Sequence, residues 1–292
     1  LIHFIFCAIS LLIGWFALGR VRSLSWFWAP VLLGLVYVFF AGFDQHHGGL
    51  EATRTEFYKL PNWEMYPKEY LQKIQSDRIF STLVYPNAFA GVILLLLPIA
   101  LWKFWELTGR WPRVARGVCF GLFGYLALAC LYWTGSKGGW LIALAIGLVL
   151  VLHLSLPAKV KLTLMTVSLV LGLTFFFVRF GGYFQKGATS VSARFVYWQA
   201  AWQTVVEKPV LGTGPGTFQV AYAKIKPPEA EMARLAHNDF IEQASDSGVV
   251  GALAFGAFVF GSMWVLYRKR PVKEWDYLLI WAGLLGWTLQ SF

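Results

Sequence analysis

Long apolar runs recur along the whole chain, and they constrain its fold more than any other feature. Eight windows hold about 18 or more predominantly apolar residues, the length that an α-helix needs to cross the hydrocarbon of a bilayer. Because hydrocarbon offers the backbone no hydrogen-bond partner, these segments are predicted to be helices. The windows are 1–18, 24–43, 86–105, 117–134, 138–156, 162–178, 247–267 and 275–292.

The amino-acid composition also indicates a helical membrane protein. The chain is 58% hydrophobic and only 14% charged, with a mean hydropathy of +0.57, which excludes an ordinary soluble domain. We therefore predict an all-α, multi-pass transmembrane helical bundle, with residues 1–292 forming a single membrane domain. The chain starts without Met, and both of its ends lie within apolar runs, so we expect it to be truncated at both ends.

The basic residues predict the orientation of the bundle. Twelve cations and three acids fall in alternate short connections, a net charge of +9, whereas the other connections hold thirteen cations and twelve acids, a net charge of +1. The positive-inside rule assigns the basic face to the cytoplasm. The twelve cations are Arg20, Arg22, Lys103, Arg110, Arg113, Arg116, Lys159, Lys161, Arg268, Lys269, Arg270 and Lys273.

Two long polar connections then face outward, together with the short turn at Lys137. The outer loop 44–85 precedes the third predicted span, and the 68-residue loop 179–246 separates the sixth from the seventh. The larger loop combines a histidine, several cations, a glycine-rich turn and an amphipathic pattern. We predict that it is the large catalytic loop of the protein and lies against the outer membrane surface.

Residues 190–207 predict an amphipathic helix within this loop. Five apolar residues follow one another at steps of four, three, four and three, which is one face of a helix. The segment is too short and polar to span, so an interfacial helix fits best. Arg194 lies at the edge of that face. It is either a ligand of a substrate phosphate or a surface arginine that reaches the phosphate of any lipid. The five residues are Val191, Phe195, Trp198, Trp202 and Val205.

A glycine-rich turn follows this helix. Gly212, Gly214 and Gly216 alternate with other residues in a pattern that differs from the dinucleotide fingerprint. Closely spaced glycines can expose backbone N–H groups as a nest for phosphate oxygens. A plain tight turn is the alternative interpretation.

His237 is the strongest candidate for proton transfer. It stands just before a predicted helix that runs into a span, and the pKa of histidine lies near neutrality. Asn238 is a candidate substrate-binding residue beside it. In the alternative interpretation, Asn238 or Asp239 caps the helix and His237 has no chemical role.

Two outer-side helix starts and a histidine pair complete the candidates. Lys137 lies in a glycine-rich turn between two spans and is either a ligand-binding cation or a membrane anchor. Asn87 lies at the start of the third span, where its side-chain amide can bind a polar group. The pair His46 and His47 follows Asp44, but adjacent histidines rarely bind one ion. We therefore expect neither a metal site nor a cofactor.

Four motifs resemble those of the O-antigen ligase and polymerase superfamily, both in their order along the chain and in the side of the membrane on which they are predicted to lie. The resemblance covers roughly residues 80–265, and the size of the loop 179–246 adds to it. The motifs are Tyr85-Pro-Asn-Ala-Phe-Ala-Gly91, Thr134-Gly-Ser-Lys-Gly-Gly139, the stretch from Arg194 to Gly216, and Ala236-His-Asn-Asp-Phe-Ile-Glu242 with Ser247-Gly-Val-Val-Gly251.

The resemblance implies a membrane glycosyltransferase fold and an inverting, metal-independent transfer. The donor would be an undecaprenyl-diphosphate-linked glycan, with His237 as base and Arg194 and Lys137 on the diphosphate. The enzyme would lie in the bacterial inner membrane, with its active site on the periplasmic side. The family usually shows Arg where this chain has Lys137, and lysine lacks the fork that grips two phosphate oxygens. Arg179, at the entrance of the loop, is either a substitute for that arginine or an interfacial anchor.

The acceptor and two other function classes stay open. The hydroxyl could belong to a lipid A core sugar in lipopolysaccharide biosynthesis, to another lipid-linked glycan, or to a protein side chain. A transporter of a small solute or anion would instead place ionisable residues on broken helices near the midplane. A non-catalytic glycan-binding membrane component would keep the fold and need no base.

Overall fold

The structure is a computed structural model that describes most of the chain. The described residues are 2–17, 20–21, 24–66, 70–71, 74–83, 85–185, 189–228, 230–269 and 275–291. Several residues of the sequence-based predictions lie outside these ranges, namely Leu1, Arg22, Arg270, Lys273 and Phe292.

Regular structure in the described residues is entirely helical, which confirms the predicted all-α membrane class. Short π-helical turns cover residues 13–17 and 45–49, and a 3₁₀ turn covers Trp63–Met65. The α-helices are α1 Ile2–Leu12, α2 Ser25–Asp44, α3 Leu50–Tyr58, α4 Pro86–Leu107, α5 Arg113–Trp133, α6 Lys137–His153, α7 Ala158–Gln185, α8 Thr189–Glu207, α9 Phe218–Ile225, α10 Asp239–Lys269 and α11 Trp275–Gln290.

The predicted spans from 24–43 onward overlap α2, α4, α5, α6, α7, α10 and α11, and the first span, 1–18, covers α1 and the π-helical turn after it. By length and hydropathy, five helical stretches are able to cross a membrane, and the shorter α6 is also apolar. Their apolar surface is mostly exposed, which suits contact with lipid. The division into eight spans stays a prediction. The five stretches are Ser25–Tyr58, Pro86–Leu107, Arg113–Trp133, Ala158–Gln185 and Asp239–Lys269.

The chain forms two compact units. The first contains residues 1–84 and 100–133. Here α2 packs on α5, with the rings of Phe39 and Phe123 5.5 Å apart. The loop 44–85 is structured by α3 and by Arg54, whose guanidinium lies 2.7 Å from the Asp77 carboxylate and donates to the Ile74 carbonyl.

The second unit contains residues 85–99 and 134–292. Its helices approach closely because small residues line their contacts, as is usual between membrane helices. A Cβ on Gly283 of α11 would lie 2.0 Å from the Leu95 carbonyl oxygen, and one on Gly286 would lie 2.6 Å from Cδ1 of Ile146. Leu94, Ile146 and Ala282 form the buried centre of this packing.

Five helix termini meet at one end of the second unit, which we call the site end. It comprises the starts of α4, α6 and α10 and the ends of α7 and α11. A Cβ on Gly139 would lie 3.2 Å from that of Ala90, which joins α6 to α4. The Asp239 amide donates to the Ser291 carbonyl at 2.9 Å, which joins α10 to the residue after α11.

The opposite end of the same unit carries basic residues. His153 at the end of α6 bonds the Tyr267 hydroxyl near the end of α10 at 3.1 Å. Arg268 and Lys269 follow directly, and Lys161 donates to the Leu152 carbonyl at 2.9 Å. Cations from two of the short basic connections thus lie together at this end. Which end faces outward stays a prediction.

The close approach of α4 and α11 leads to a stability prediction. Gly283→Ala should destabilise the protein by about 1–3 kcal/mol, because the new methyl group meets the Leu95 backbone and forces the helices apart. Thermal unfolding in nanodiscs measures the change. The matched control is Gly261→Ala in α10, whose Cβ would have no heavy atom within 4 Å. Equal melting temperatures for the two variants would contradict the packing described.

Candidate functional site

All nine predicted site residues lie in the second unit, on or between α4, α6, α7, α8 and α10. Lys137 and Asn87 lie at helix starts of the site end, and Arg179 lies in the last two turns of α7. The remaining six lie on α8 or between α8 and α10. They are Arg194, Gly212, Gly214, Gly216, His237 and Asn238.

The loop 179–246 folds around a small core of its own. The inner face of α8 packs against α9 and the start of α10. Small residues make this contact close, since Ala201 is fully buried and Ala200 nearly so. The other members of the core are Tyr197, Phe218, Tyr222, Ala233 and Ala236.

The predicted helix over 190–207 is present as α8, and its predicted apolar face divides in two. Phe195 and Trp202 are 60% and 63% exposed, whereas Val205 is 5% exposed. Trp198 turns inward, and its indole N–H donates to the Ala236 carbonyl at 3.1 Å. The exposed part suits a membrane surface, and the interfacial position of α8 stays a prediction.

Sequence reasoning missed α9. Phe218, Tyr222 and Ile225 recur at steps of four and three, the signal that indicates one apolar helix face. The Phe218 and Tyr222 rings stack at 5.5 Å, and the Tyr222 hydroxyl donates to the Glu231 carbonyl at 3.0 Å. This helix fixes the path of the chain towards His237.

His237 occupies an unusual backbone conformation. Its φ of 56° lies in the left-handed region, which costs a residue other than glycine of order 1 kcal/mol. Both neighbours are held in place. Ala236 is fully buried, accepting from the Trp198 indole and donating its amide to the Glu242 carboxylate at 2.7 Å. The His237 side chain itself is exposed.

Asn238 caps α10. Its side-chain oxygen accepts from the amides of Phe240 and Ile241 at 3.1 and 3.2 Å, and the residue is only 4% exposed. This is the capping geometry of the alternative interpretation. The cap holds the backbone beside His237. Substrate binding by Asn238 stays a prediction.

Tyr197 provides an aromatic neighbour for His237. The two ring centroids are 6.0 Å apart. Burial, and then the nearby Glu231 carboxylate, raise the pKa of the Tyr197 hydroxyl. The phenol therefore stays neutral at physiological pH and adds no charge beside the imidazole.

The amides of the glycine-rich turn have partners within the protein. Gly216 donates to the Asp246 carboxylate at 2.5 Å, and Gly214 donates to the Asp246 carbonyl at 2.8 Å. Gly212 donates to the Lys208 carbonyl at 3.1 Å. The Gly216 amide thus meets an anionic side chain of α10, whereas the other two amides meet backbone carbonyls. Contact between the three glycines and a substrate phosphate stays a prediction.

A break in α10 receives this turn. Gly248 has φ 66° and ψ −175°, and a Cβ there would lie 2.2 Å from the Val210 carbonyl oxygen. Gly212 also has positive φ, and its Cβ would lie 2.5 Å from the Ser245 oxygen. The Val249 amide donates to the Pro209 carbonyl at 2.7 Å. Glycine is therefore required at both positions for the turn 209–217 to fit into the break.

Lys137 and Arg179 share an aromatic surface at the end of α7. The Lys137 ammonium lies 3.8 Å from the Tyr183 ring centroid and 5.6 Å from that of Phe180. The Arg179 guanidinium lies 5.3 Å from the same Phe180 ring. Two predicted site cations thus lie near the same Phe180 ring.

Arg194 and Asn87 stand on two of the elements that meet at the site. Arg194 is half-buried on α8, one turn before Trp198, and Asn87 is exposed in the first turn of α4. Ala90, one turn further along α4, packs on Gly139 of α6, so Asn87 and Lys137 lie at neighbouring helix starts.

No group of three or more His, Cys, Asp or Glu side chains in the described ranges is arranged to hold a metal ion. In the first unit, His46 stacks on Trp133 and His47 on Phe43, both with ring centroids 4.0 Å apart.

Comparison with known proteins finds a family match in the middle of the chain. Residues 122–256, slightly less than half of the chain, match the O-antigen ligase family model. This match supports membership of the O-antigen ligase and polymerase superfamily, and the matched range includes Lys137, Arg194 and His237. No curated protein and no solved structure matches significantly.

The fit of the turn 209–217 into α10 leads to a second prediction. Gly248→Ala should raise the hydrogen-exchange rates of the Thr213 and Gly214 amides about tenfold or more, because strain of about 1–3 kcal/mol opens the contact. Exchange of peptides covering 209–217 is followed by mass spectrometry. Gly256→Ala, on the same helix with no heavy atom within 4 Å of its Cβ, is the control. Unchanged exchange in Gly248→Ala would refute the role assigned to this glycine.

Proposed function

We propose that the protein transfers a glycan from an undecaprenyl-diphosphate-linked donor to an acceptor hydroxyl at the outer face of the bacterial cytoplasmic membrane. The family supports glycan transfer of the O-antigen ligase type in general. The donor and the residue roles follow from the resemblance described above, and the sidedness follows from the distribution of basic residues.

The presentation of His237 is the observation that carries the proposal. The residue is exposed in a left-handed conformation, while the residues on both sides are buried and hydrogen-bonded. Strained backbone that the surroundings hold in place is typical of functional sites. A histidine that only joined two elements would gain nothing from this conformation, whereas a base must reach its substrate in a fixed direction.

Lys137 and Arg194 supply positive charge for a diphosphate leaving group. Lys137 stands in the first turn of α6, where the helix dipole also favours an anion. Arg194 stands on α8, which the Trp198 bond ties to the residue before His237. A cation preorganised near the departing oxygen stabilises the charge that grows there in the transition state. Arg179, close to Lys137 through Phe180, provides a further cation.

The reaction is a single displacement at the anomeric carbon. The acceptor oxygen bonds to that carbon, and the bond from the carbon to the donor phosphate oxygen breaks. Its electron pair leaves with undecaprenyl diphosphate. The hydroxyl proton passes to the His237 imidazole and then to water. Attack from the face opposite the leaving group inverts the anomeric configuration.

The glycine-rich turn contributes to this site through α10. Asp246 accepts from the turn, and Gly248 leaves room for Val210, so the turn fixes the polar first part of α10. That part begins at the Asn238 cap and therefore determines where His237 stands. In this proposal, Gly212, Gly214 and Gly216 act on the substrate mainly through the position of the base.

The acceptor is a hydroxyl of a lipid A core sugar, of another lipid-linked glycan, or of a protein. One assay addresses all three, because each acceptor releases the same leaving group. The protein in nanodiscs is given a labelled lipid-linked oligosaccharide and a mixed acceptor pool, and undecaprenyl diphosphate is quantified. A wild-type protein that binds the donor and releases none would favour the transporter or glycan-binding alternatives.

His237→Asn tests the base. Asparagine adopts positive φ readily, so the variant should fold at least as stably as the wild type. Its amide cannot take up the hydroxyl proton, and we expect the rate of release to fall at least about hundredfold. The control is Arg234→Ala, which removes an exposed cation from the same segment and should keep near-normal activity. Full activity of His237→Asn would exclude this residue as the base.

Metal independence gives a separate prediction. Release should be unchanged by EDTA, since Arg194 and Lys137 supply the charge that a divalent cation would otherwise provide. The rate is measured before and after chelation and after Mg²⁺ or Mn²⁺ is added back. Strong inhibition that a divalent ion reverses would contradict the mechanism.

A further inference from the structure

Tyr183 connects three helices at the site end. It is half-buried near the end of α7, and its ring centroid lies 3.8 Å from the Lys137 ammonium of α6. Its hydroxyl lies 2.5 Å from Oγ of Ser190 and accepts from the Val191 amide at 3.2 Å, both in the first turn of α8. One side chain thus contacts the starts of the two helices that carry Lys137 and Arg194.

The two halves of this side chain act differently. The electron-rich face of the ring attracts the Lys137 ammonium and limits where this flexible side chain points. The hydroxyl satisfies an amide in the first turn of α8, one of the groups that a helix leaves unpaired at its start. Arg194 follows Val191 by three residues, so it projects from the same side of α8 one turn later.

We propose that Tyr183 is a positioning residue that sets the spacing of Lys137 and Arg194 around the donor diphosphate. This inference rests on the proposed function and adds a residue to its donor site. A lysine lacks the planar fork of an arginine, so its direction has to come from its surroundings. The aromatic face of Tyr183 supplies that direction, and its hydroxyl fixes the helix of the second cation.

Two substitutions separate the ring from the hydroxyl. Tyr183→Phe keeps the aromatic face over Lys137 and loses the bonds to Ser190 and Val191, whereas Tyr183→Leu loses both. The neighbouring Phe184→Leu is the control, because it removes a different aromatic ring, an exposed one, from the end of α7. Thermal unfolding of each variant in nanodiscs shows whether it is folded.

Binding of undecaprenyl diphosphate is the readout that does not depend on transfer. We expect Tyr183→Leu to weaken binding about tenfold, Tyr183→Phe to weaken it less, and Phe184→Leu to bind like the wild type. In a double-mutant cycle, the losses in binding from Tyr183→Leu and Lys137→Ala should be clearly less than additive, since part of the effect of Tyr183 passes through Lys137.

The outcomes distinguish this inference from the proposed function. Wild-type affinity in a folded Tyr183→Leu variant, or additive losses in the cycle, would overturn the role of Tyr183. The same holds if the wild-type protein binds no undecaprenyl diphosphate. A third outcome is that the binding losses of Tyr183→Leu and Lys137→Ala are coupled while the wild-type protein transfers no glycan. That outcome would uphold the role of Tyr183 in a diphosphate site and overturn the transferase proposal.

Discussion

The contact between α8 and the segment before α10 is the interaction on which the site depends. The Trp198 indole donates to the Ala236 carbonyl, and fully buried alanines allow the two segments to touch. Through this contact, Arg194 and His237 become parts of one body, although 42 residues separate them in sequence. A buried carbonyl without its donor is costly, so the chain has a strong reason to keep this arrangement.

Membrane physics explains why the candidate site lies where it does. Hydrocarbon favours helices that satisfy their own backbone, and polar side chains collect where helices start and end. At the site end these termini bring Lys137 beside Tyr183 of the loop 179–246, and Asn87 to a neighbouring helix start. Glycines at Gly283 and Gly286 permit the close packing that sets the positions of the termini. The membrane helices thus act as a rigid frame for a polar site.

The sequence predicted those features that depend on local pattern. Apolar runs indicated the membrane-length helices α2, α4, α5, α7 and α10, and the spacing of apolar residues indicated α8. The end of the predicted loop falls two residues before the break at Gly248. Features that depend on distant contacts were not predictable. The carboxylate that meets the Gly216 amide comes from Asp246, thirty residues away, and the Tyr183 ring that covers Lys137 comes from another helix. A single sequence does not show which residues become neighbours.

The most direct test of the account is a cryo-EM structure of the protein in nanodiscs with a non-hydrolysable analogue of the lipid-linked glycan. The account predicts the diphosphate within salt-bridge distance of both Lys137 and Arg194. It also predicts the His237 imidazole on the side of the anomeric carbon opposite the diphosphate. A diphosphate bound away from these cations, or a donor sugar out of reach of His237, would contradict the account.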